Sequence, residues 1–327
     1  MDKLKIQQLS SLLAKQFPES KWLVEKLDPE SGLVLLSAAP ASFKTWLALE
    51  ISLCVADGKS LFNTFPTAKG NVLICDEESG ERMLQDRYKK LGAKITDDPQ
   101  DEKQIYYLSR LGRQVDDNYI KELIAECLKN NIKLVVFDSL VRFHNAREND
   151  ASEMAKVLNL FKTLNDNGIA ALVLHHNRKS SGVIIGSGEM MRGSSDILAS
   201  CDIHLSVNRR ERKITISQTK NRYMEEIKPF SVRLQIIDEE KSSFEFLGEE
   251  IAKNNYSDEE LNKILTQQIE NNPGINKRQL ISLISANNNI SHNRISSAIN
   301  DLINDEEIIT KQGIKNSTQL FIKNSVV

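Results

Sequence analysis

Long apolar runs are missing from this chain. None approaches the length needed to span a membrane, and no N-terminal segment resembles a signal peptide, so the expectation is a cytosolic protein. Cysteine is scarce. Cys54, Cys75, Cys127 and Cys201 are the four present, and no two form a CxxC pair. Each sits in or beside an apolar run, which argues against a disulfide framework and for buried free thiols in a reducing compartment. Excess charge of one sign is missing as well. The formal net charge is -2 over 327 residues. No bulk positive field marks the chain as a nucleic-acid binder, so any such contact must be local. There is no internal repeat.

What is present fits a globular protein. Charged residues make up 27% and hydrophobic residues 40%. The length suffices for one sizeable α/β core plus a small second domain. Residues 1–28 carry a short amphipathic pattern and are expected to form an N-terminal helical segment. From Gly32 onward, short β-branched runs alternate with helical stretches. The runs are "GLVLLSA", "NVLICDE", "QIYYLSR", "KLVVFDS" and "AALVLHH". Nearly continuous apolar strands separated by helices predict a mostly parallel sheet covered on both faces. After Asp202 strand follows strand, which predicts an antiparallel extension. The core is expected to cover 29–250. Ser257, with Glu260 three residues on, then reads as a capped helix start. It opens a helix, helix, helix and hairpin arrangement over 256–327.

A further absence is local. In "SAAPASFKTWLAL" a Lys44-Thr45 pair follows an apolar run and opens a helical pattern, yet the glycines of a GxxxxGK[ST] loop are replaced by Ala38 and Phe43. Such a loop wraps phosphates with backbone N–H groups and a helix N-terminus. The lysine adds charge and the hydroxyl holds Mg²⁺. Glycine is replaceable wherever the required φ is negative. Taken alone, the fragment reads equally as a strand-to-helix turn with a surface lysine. Context adds to it. Asp138 ends the strand in "KLVVFDSL", where a second carboxylate near Mg²⁺ belongs. Asp76, Glu77 and Glu78 end another strand, and a carboxylate there can orient an attacking water. His175 and His176 end a third. Adjacent strand residues face opposite sides, so one of the two faces the site and the other packs.

These stretches, together with "MRGSSDI" and "TKNR", occur in the order found in RecA-like ATPases. The chain resembles that group, particularly the RepA-type replicative helicases of plasmids and related proteins of phages and other mobile elements, over about Trp22 to Leu247. The resemblance implies a P-loop NTPase that uses ATP and Mg²⁺. Lys44 and Thr45 would bind phosphate and Mg²⁺, with Ala39, Ser42, Phe43 and Trp46 completing the nucleotide contacts. Asp138 would be the second metal-side acid, Glu78 the catalytic glutamate with Glu77 its nearest competitor, and His176 the γ-phosphate sensor. Lys220 and Arg222 would reach across a subunit boundary to a neighbour's γ-phosphate, in a homo-hexamer. The Gly- and Ser-rich "RKSSGVIIGSGEMMRGSSD" would face single-stranded DNA in the ring pore, with Lys179 and Arg192 on phosphates.

The last segment resembles a winged helix. "SHNRISSAINDLINDE" would be its recognition helix, with Asn293 and Arg294 on the polar face and Lys311 on the wing. Residues 256–327 hold seven Lys/Arg and eight Asp/Glu, so the module is not basic. The reading is an ATP-driven hexameric DNA helicase that acts in replication of a mobile element, gripping duplex DNA or a primase or initiator through its winged helix. Its rivals are an ATP-switched DNA-binding regulator or initiator, and a loader for a helicase or primase.

Overall fold

The structure is a computed structural model. It describes residues 6–16, 21–93, 104–147, 150–176, 195–250, 257–288, 290–312 and 317–323. The chain divides into two compact units, Met1–Glu250 and Ile251–Val327.

The first unit opens with a single helical turn and a half, α1 (Leu9–Leu13), which buries none of its residues. The expected continuation of that helix through residue 28 does not occur. Trp22–Val24 (β1) and Asp28–Pro29 (β2) form a small antiparallel ribbon instead. Lys26 takes φ 66° between them, which turns the chain back. Pro29 keeps Asp28 extended. Leu23, Val24 and Leu27 enter the core, so this stretch belongs to the main unit and not to a separate helical segment.

The strands read from sequence form as expected. They are β3 (Leu33–Ala38), β4 (Asn71–Asp76), β5 (Ile105–Ser109), β6 (Ile132–Asp138) and β7 (Ala170–His176). Between them run α2 (Lys44–Asp57), α3 (Glu81–Lys90), α4 (Asp117–Lys129) and α5 (Ala151–Asn165). A short α6 (Ser195–Ser200) then leads into β8 (Ile203–Arg210), β9 (Lys213–Asn221), β10 (Phe230–Ile236) and β11 (Ser242–Glu249). All but the first two strands join one nine-stranded sheet, ordered β11-β10-β9-β8-β3-β7-β6-β4-β5. β8 runs parallel to β3 and antiparallel to β9, so it is the hinge between the parallel half and the antiparallel extension.

Alternation along the strands builds two cores. On β3, Val34, Leu36 and Ala38 face α2 and α3 with Leu47, Val55 and Leu84. Leu33 and Leu35 face the other side, with Tyr119 and Leu123 of α4 and Leu158 and Phe161 of α5. A strand buried on both faces must be apolar at every position, which is why its sequence shows a run and not an alternation. Each large side chain so buried contributes roughly 1.5–3 kcal/mol from area removed from water. The four cysteines are all buried free thiols within these two cores. No described helix is long and apolar enough to cross a membrane.

The second unit contains α7 (Asp258–Asn271), β12 (Ile275–Asn276), α8 (Lys277–Asn288), α9 (His292–Asn304), β13 (Ile308–Gln312) and β14 (Thr318–Ile322). The expected capping box is formed: the Ser257 hydroxyl accepts from Glu260 N, and the Glu260 carboxylate accepts from Ser257 N. The three strands pair antiparallel in the order β12-β14-β13, beside the three helices. Its core is made by Leu261, Leu265, Ile269, Leu280, Ile284, Ile295, Ile299 and Leu302 from the three helices and by Ile308 and Leu320 from the hairpin.

Candidate functional site

Sheet register sets the site. Asp76 lies opposite Asp138, and Ala38 lies opposite His176. Four strand ends therefore finish at one level, along the carboxyl edge where open parallel sheets take ligands. The connection from β3 to α2 passes through this edge. A cleft of about 290 Å³ opens there, lined by Ala39, Ala41 to Trp46, Glu78, Arg87, His176 and Arg209.

The loop into the cleft departs from one expectation. Ala38 stands within β3 and needs no left-handed backbone, so alanine serves in place of the first glycine. Phe43 does need it. Its φ is 63°, and Ala41 two residues earlier has φ 60°. The glycine at the second position was thus replaced where φ is positive, at a cost of roughly 1–3 kcal/mol for a side chain with a Cβ. The Phe43 ring packs against the α2-side core, which holds it there. Arg209 adds a second restraint. Its guanidinium carbon stands 3.9 Å from the ring centroid of Phe43. Its Nη1 donates to the Ala41 carbonyl at 2.7 Å, and its Nε to the Glu211 carbonyl at 2.6 Å.

Lys44 begins α2 and is only 5% exposed, with its ammonium 4.0 Å from Asp138 Oδ1. Burial pulls the lysine below its ordinary range, while Asp138 and Glu78 push it back up. The Thr45 hydroxyl donates to Asp138 Oδ2 at 2.8 Å. Burial raises Asp138, against the pull of Lys44 and Thr45. Asp138 Oδ1 is buried and accepts no hydrogen bond among the described residues. An orphaned carboxylate oxygen beside a threonine hydroxyl fits Mg²⁺, which takes one or two carboxylates and shares the rest of its shell with phosphates and water.

The three acids after β4 have separate tasks. The Asp76 carboxylate accepts from the backbone N–H groups of Glu78, Ser79 and Gly80, at 3.1, 2.8 and 2.6 Å. It builds the turn. Glu77 accepts from Leu111 N and Gly112 N at 2.8 and 3.0 Å, so it ties down the segment after β5. Glu78 alone points into the cleft. Its Oε2 lies 3.4 Å from His176 Nε2. That histidine, followed by burial acting in the opposite sense and then by Ser139 and Lys44, brings the Glu78 carboxyl down to about 2.

The histidine pair divides as alternation requires. His176 faces the cleft. His175 is buried and faces inward, where desolvation, and then the nearby charges of His176, Lys44 and His144, lower it to about 4. A further buried histidine, His204 on β8, bridges Ser37 Oγ at 2.6 Å and the Thr219 hydroxyl. It too is lowered to about 4 by burial.

Lys220, near the end of β9, and Arg222, just past it, both reach toward the end of α6. Lys220 Nζ donates to the carbonyls of Leu198 and Ala199 at 2.6 and 2.9 Å. Arg222 donates to the Ala199 carbonyl at 2.6 Å and pairs with Asp202 Oδ1 at 3.1 Å. Lys220 lies opposite His204 and Asn221 opposite Ile203. Ile203 in turn lies beside Val34, whereas Val207 lies beside Ala38 at the cleft end. The two cations thus sit at the end of the sheet away from their own phosphate loop.

Lys179 and Arg192, the expected pore residues, lie outside the described residues. In the second unit, Asn293 is exposed near the start of α9. Arg294 pairs with Asp258 at 3.1 Å. Lys311 is exposed on β13, its ammonium 5.1 Å from the Phe321 ring centroid.

Arg87 and Arg209 were not singled out from sequence. Arg87 is one of several basic residues on α3, and only folding shows that it turns toward the cleft while donating to Ser79 Oγ at 2.8 Å. Arg209 lies in "NRRERK", which reads as a charged turn.

Comparison with known proteins agrees with this geometry. A family model described as an AAA domain matches residues 2–182. Among solved structures, the ATPase domain of G40P is similar with a TM-score of 0.51 at 16% identity, covering 67% of this chain and 85% of that one. A KaiC-like protein from the hyperthermophilic archaeon Pyrococcus horikoshii OT3 is similar with a TM-score of 0.47 at 15% identity, covering 71% of this chain and 98% of that one. No curated protein matches the sequence. With more than half of its length matched, and with loop, hydroxyl and acid meeting at one sheet edge, the chain belongs to the AAA-domain family of RecA-like P-loop ATPases.

Proposed function

We propose that this ATPase is a ring-forming motor, a homo-hexameric DNA helicase in the replication of a plasmid, phage or other mobile element. The observation that carries the ring is the placement of Lys220 and Arg222. Lys220 at the end of β9 and Arg222 just beyond it stand at the end of the sheet remote from their own loop, out of reach of their own nucleotide, and this supports a role toward a neighbouring subunit's phosphates. Cations supplied in this manner stabilise the charge of the transferring phosphoryl group, with effects of roughly 10³–10⁵ in rate.

Within one chain the division of labour follows from the cleft. The loop N–H groups and Lys44 bind the phosphates of ATP. Thr45 and Asp138 hold Mg²⁺, which when bound offsets phosphate charge. Glu78, a carboxylate at neutral pH whose pKa is lowered further by His176 and then Ser139 and Lys44 against burial, orients the attacking water by accepting its hydrogen bond. Orienting the water is the role that an ionised carboxylate in this cleft can fill. His176 touches Glu78 and lines the same cleft, so it can report whether a γ-phosphate is present.

DNA is assigned by likeness to the motors. The exposed Asn293 and the wing residue Lys311 are the second unit's candidates for duplex or partner contact. The test is ATP hydrolysis with and without single-stranded DNA, alongside unwinding of a forked duplex and sedimentation with Mg²⁺-ATP. Stimulated turnover, unwinding and a six-fold mass support the motor. Tight ATP binding with negligible turnover and a preference for one duplex site would instead select an ATP-switched initiator.

A further inference from the structure

Arg209 makes three contacts, none of which the phosphate chemistry above uses. It stacks on Phe43, it tethers the Ala41 carbonyl, and its Nε is fixed by the Glu211 carbonyl. Ala41 and Phe43 are the two non-glycine residues of the loop with left-handed backbone. In a glycine loop that conformation costs nothing in steric terms. Here each residue has a Cβ and is biased toward leaving it. The arginine meets both. It comes from β8, which is locked between β3 and β9, with Val207 level with Ala38 and Arg209 level with Ile214. β8 is paired on both sides up to Val207 and continues on β9 alone through Arg209, so the arginine projects past the end of β3 over the loop from an anchored strand.

We propose that Arg209 is a positioning residue of the nucleotide site, holding a glycine-free phosphate loop in its binding shape through Phe43 and Ala41. The proposal rests on the nucleotide reading of the cleft. It makes the aromatic side chain and the arginine a matched pair that takes over from glycine. Phe43 gives the guanidinium a surface, and the guanidinium keeps Phe43 left-handed. Because Arg209 is exposed, its removal leaves both cores untouched.

The experiment is a double-mutant cycle on the full chain, read as the affinity for a fluorescent ATP analogue with Mg²⁺ and as KM and kcat for ATP. Arg209→Ala is expected to weaken binding and raise KM about tenfold, with little change in kcat, as a loop that must reorder before it binds pays that fraction in apparent affinity. Arg209→Lys keeps a cation over the ring and loses the fork, so it falls between, at about threefold. In an Ala41→Gly, Phe43→Gly background the same Arg209→Ala change is expected to cost less than about twofold, because glycine at both positions holds the left-handed conformation unaided. Equal losses in both backgrounds would mean that the arginine acts on the nucleotide itself, and would overturn the proposal. So would unchanged affinity of Arg209→Ala while Lys44→Ala abolishes binding. Nucleotide binding that survives Lys44→Ala would overturn the reading of the cleft, and the positioning role with it.

Discussion

Acid should unfold the ATPase unit through its buried histidines, at a predictable rate with pH. His175 and His204 are each held near 4, against an ordinary value of 6.5. As pH falls through 6.5, the unfolded chain takes up protons that the folded chain refuses. Stability is fully present above that range and drains until about pH 4, where the folded histidines also protonate. A shift of 2.5 units corresponds to about 3 kcal/mol for each histidine. Burial is the main cause for both, and charge at the neighbouring His176, Lys44 and His144 adds to it for His175, as charge at His175 and Lys220 does for His204. The assay is urea denaturation from pH 7.5 to 4.5, followed by tryptophan fluorescence. Trp22 and Trp46 are the only tryptophans, and both lie in the first unit, so the signal reports that unit alone. Other groups titrate in this range, so the informative quantity is a difference. His204→Gln should flatten the dependence between pH 6 and 4.5 by about 1.4 kcal/mol per pH unit. Stability–pH curves that run parallel for the wild type and this variant would refute the inference that His204 is held neutral.

Two further outcomes follow from the cleft and the remote cations. Glu78→Gln should retain ATP binding and lose roughly 10²–10⁴ in turnover, as water orientation is lost, whereas Glu77→Gln should act on the segment around Leu111 and leave the rate within about threefold; single-turnover hydrolysis separates the two, and the reverse ranking would move the catalytic role to Glu77. Mixing Arg222→Ala with Lys44→Ala subunits, each nearly inactive alone, should restore part of the ATPase activity, because some interfaces then pair an intact loop with an intact arginine; no recovery at any ratio, with subunit exchange demonstrated, would place Arg222 outside a shared site.

Much of this was open to a reading of the sequence, and the boundary is physical. Strands buried on both faces must be apolar throughout, so β3, β6 and β7 were visible as runs. Lys44 and Thr45, Asp138 and the acidic trio Asp76 to Glu78 were visible because each lies at or shortly after the end of such a run, where the chain leaves the sheet. The capping box at Ser257 and Glu260 is local and was equally plain. What the sequence could not show depends on neighbours distant along the chain. The left-handed Phe43 is tolerated because Arg209 lies above it, 166 residues later in the sequence. Asp76 and Glu77 look as suitable as Glu78 until their backbone partners appear. The ribbon at residues 22–29 has a helical hydrophobic pattern, and the turn at Lys26 with the proline at 29 outweighs it.

Asp202 serves two structures at once. One carboxylate oxygen accepts from the N–H of Leu33, the first residue of the strand that ends in the phosphate loop, at 2.9 Å. The other holds Arg222 at 3.1 Å. In an isolated chain the arginine is therefore already occupied, and any service to another molecule begins by giving up an internal partner. Were the arginine to serve another molecule, a bond inside the chain would compete with one outside it. The loser is a carboxylate that also anchors the first rung of the loop's own strand. If a neighbouring molecule took Arg222, Asp202 would keep its bond to the Leu33 N–H and lose its cation, so the start of the loop's own strand would feel the exchange.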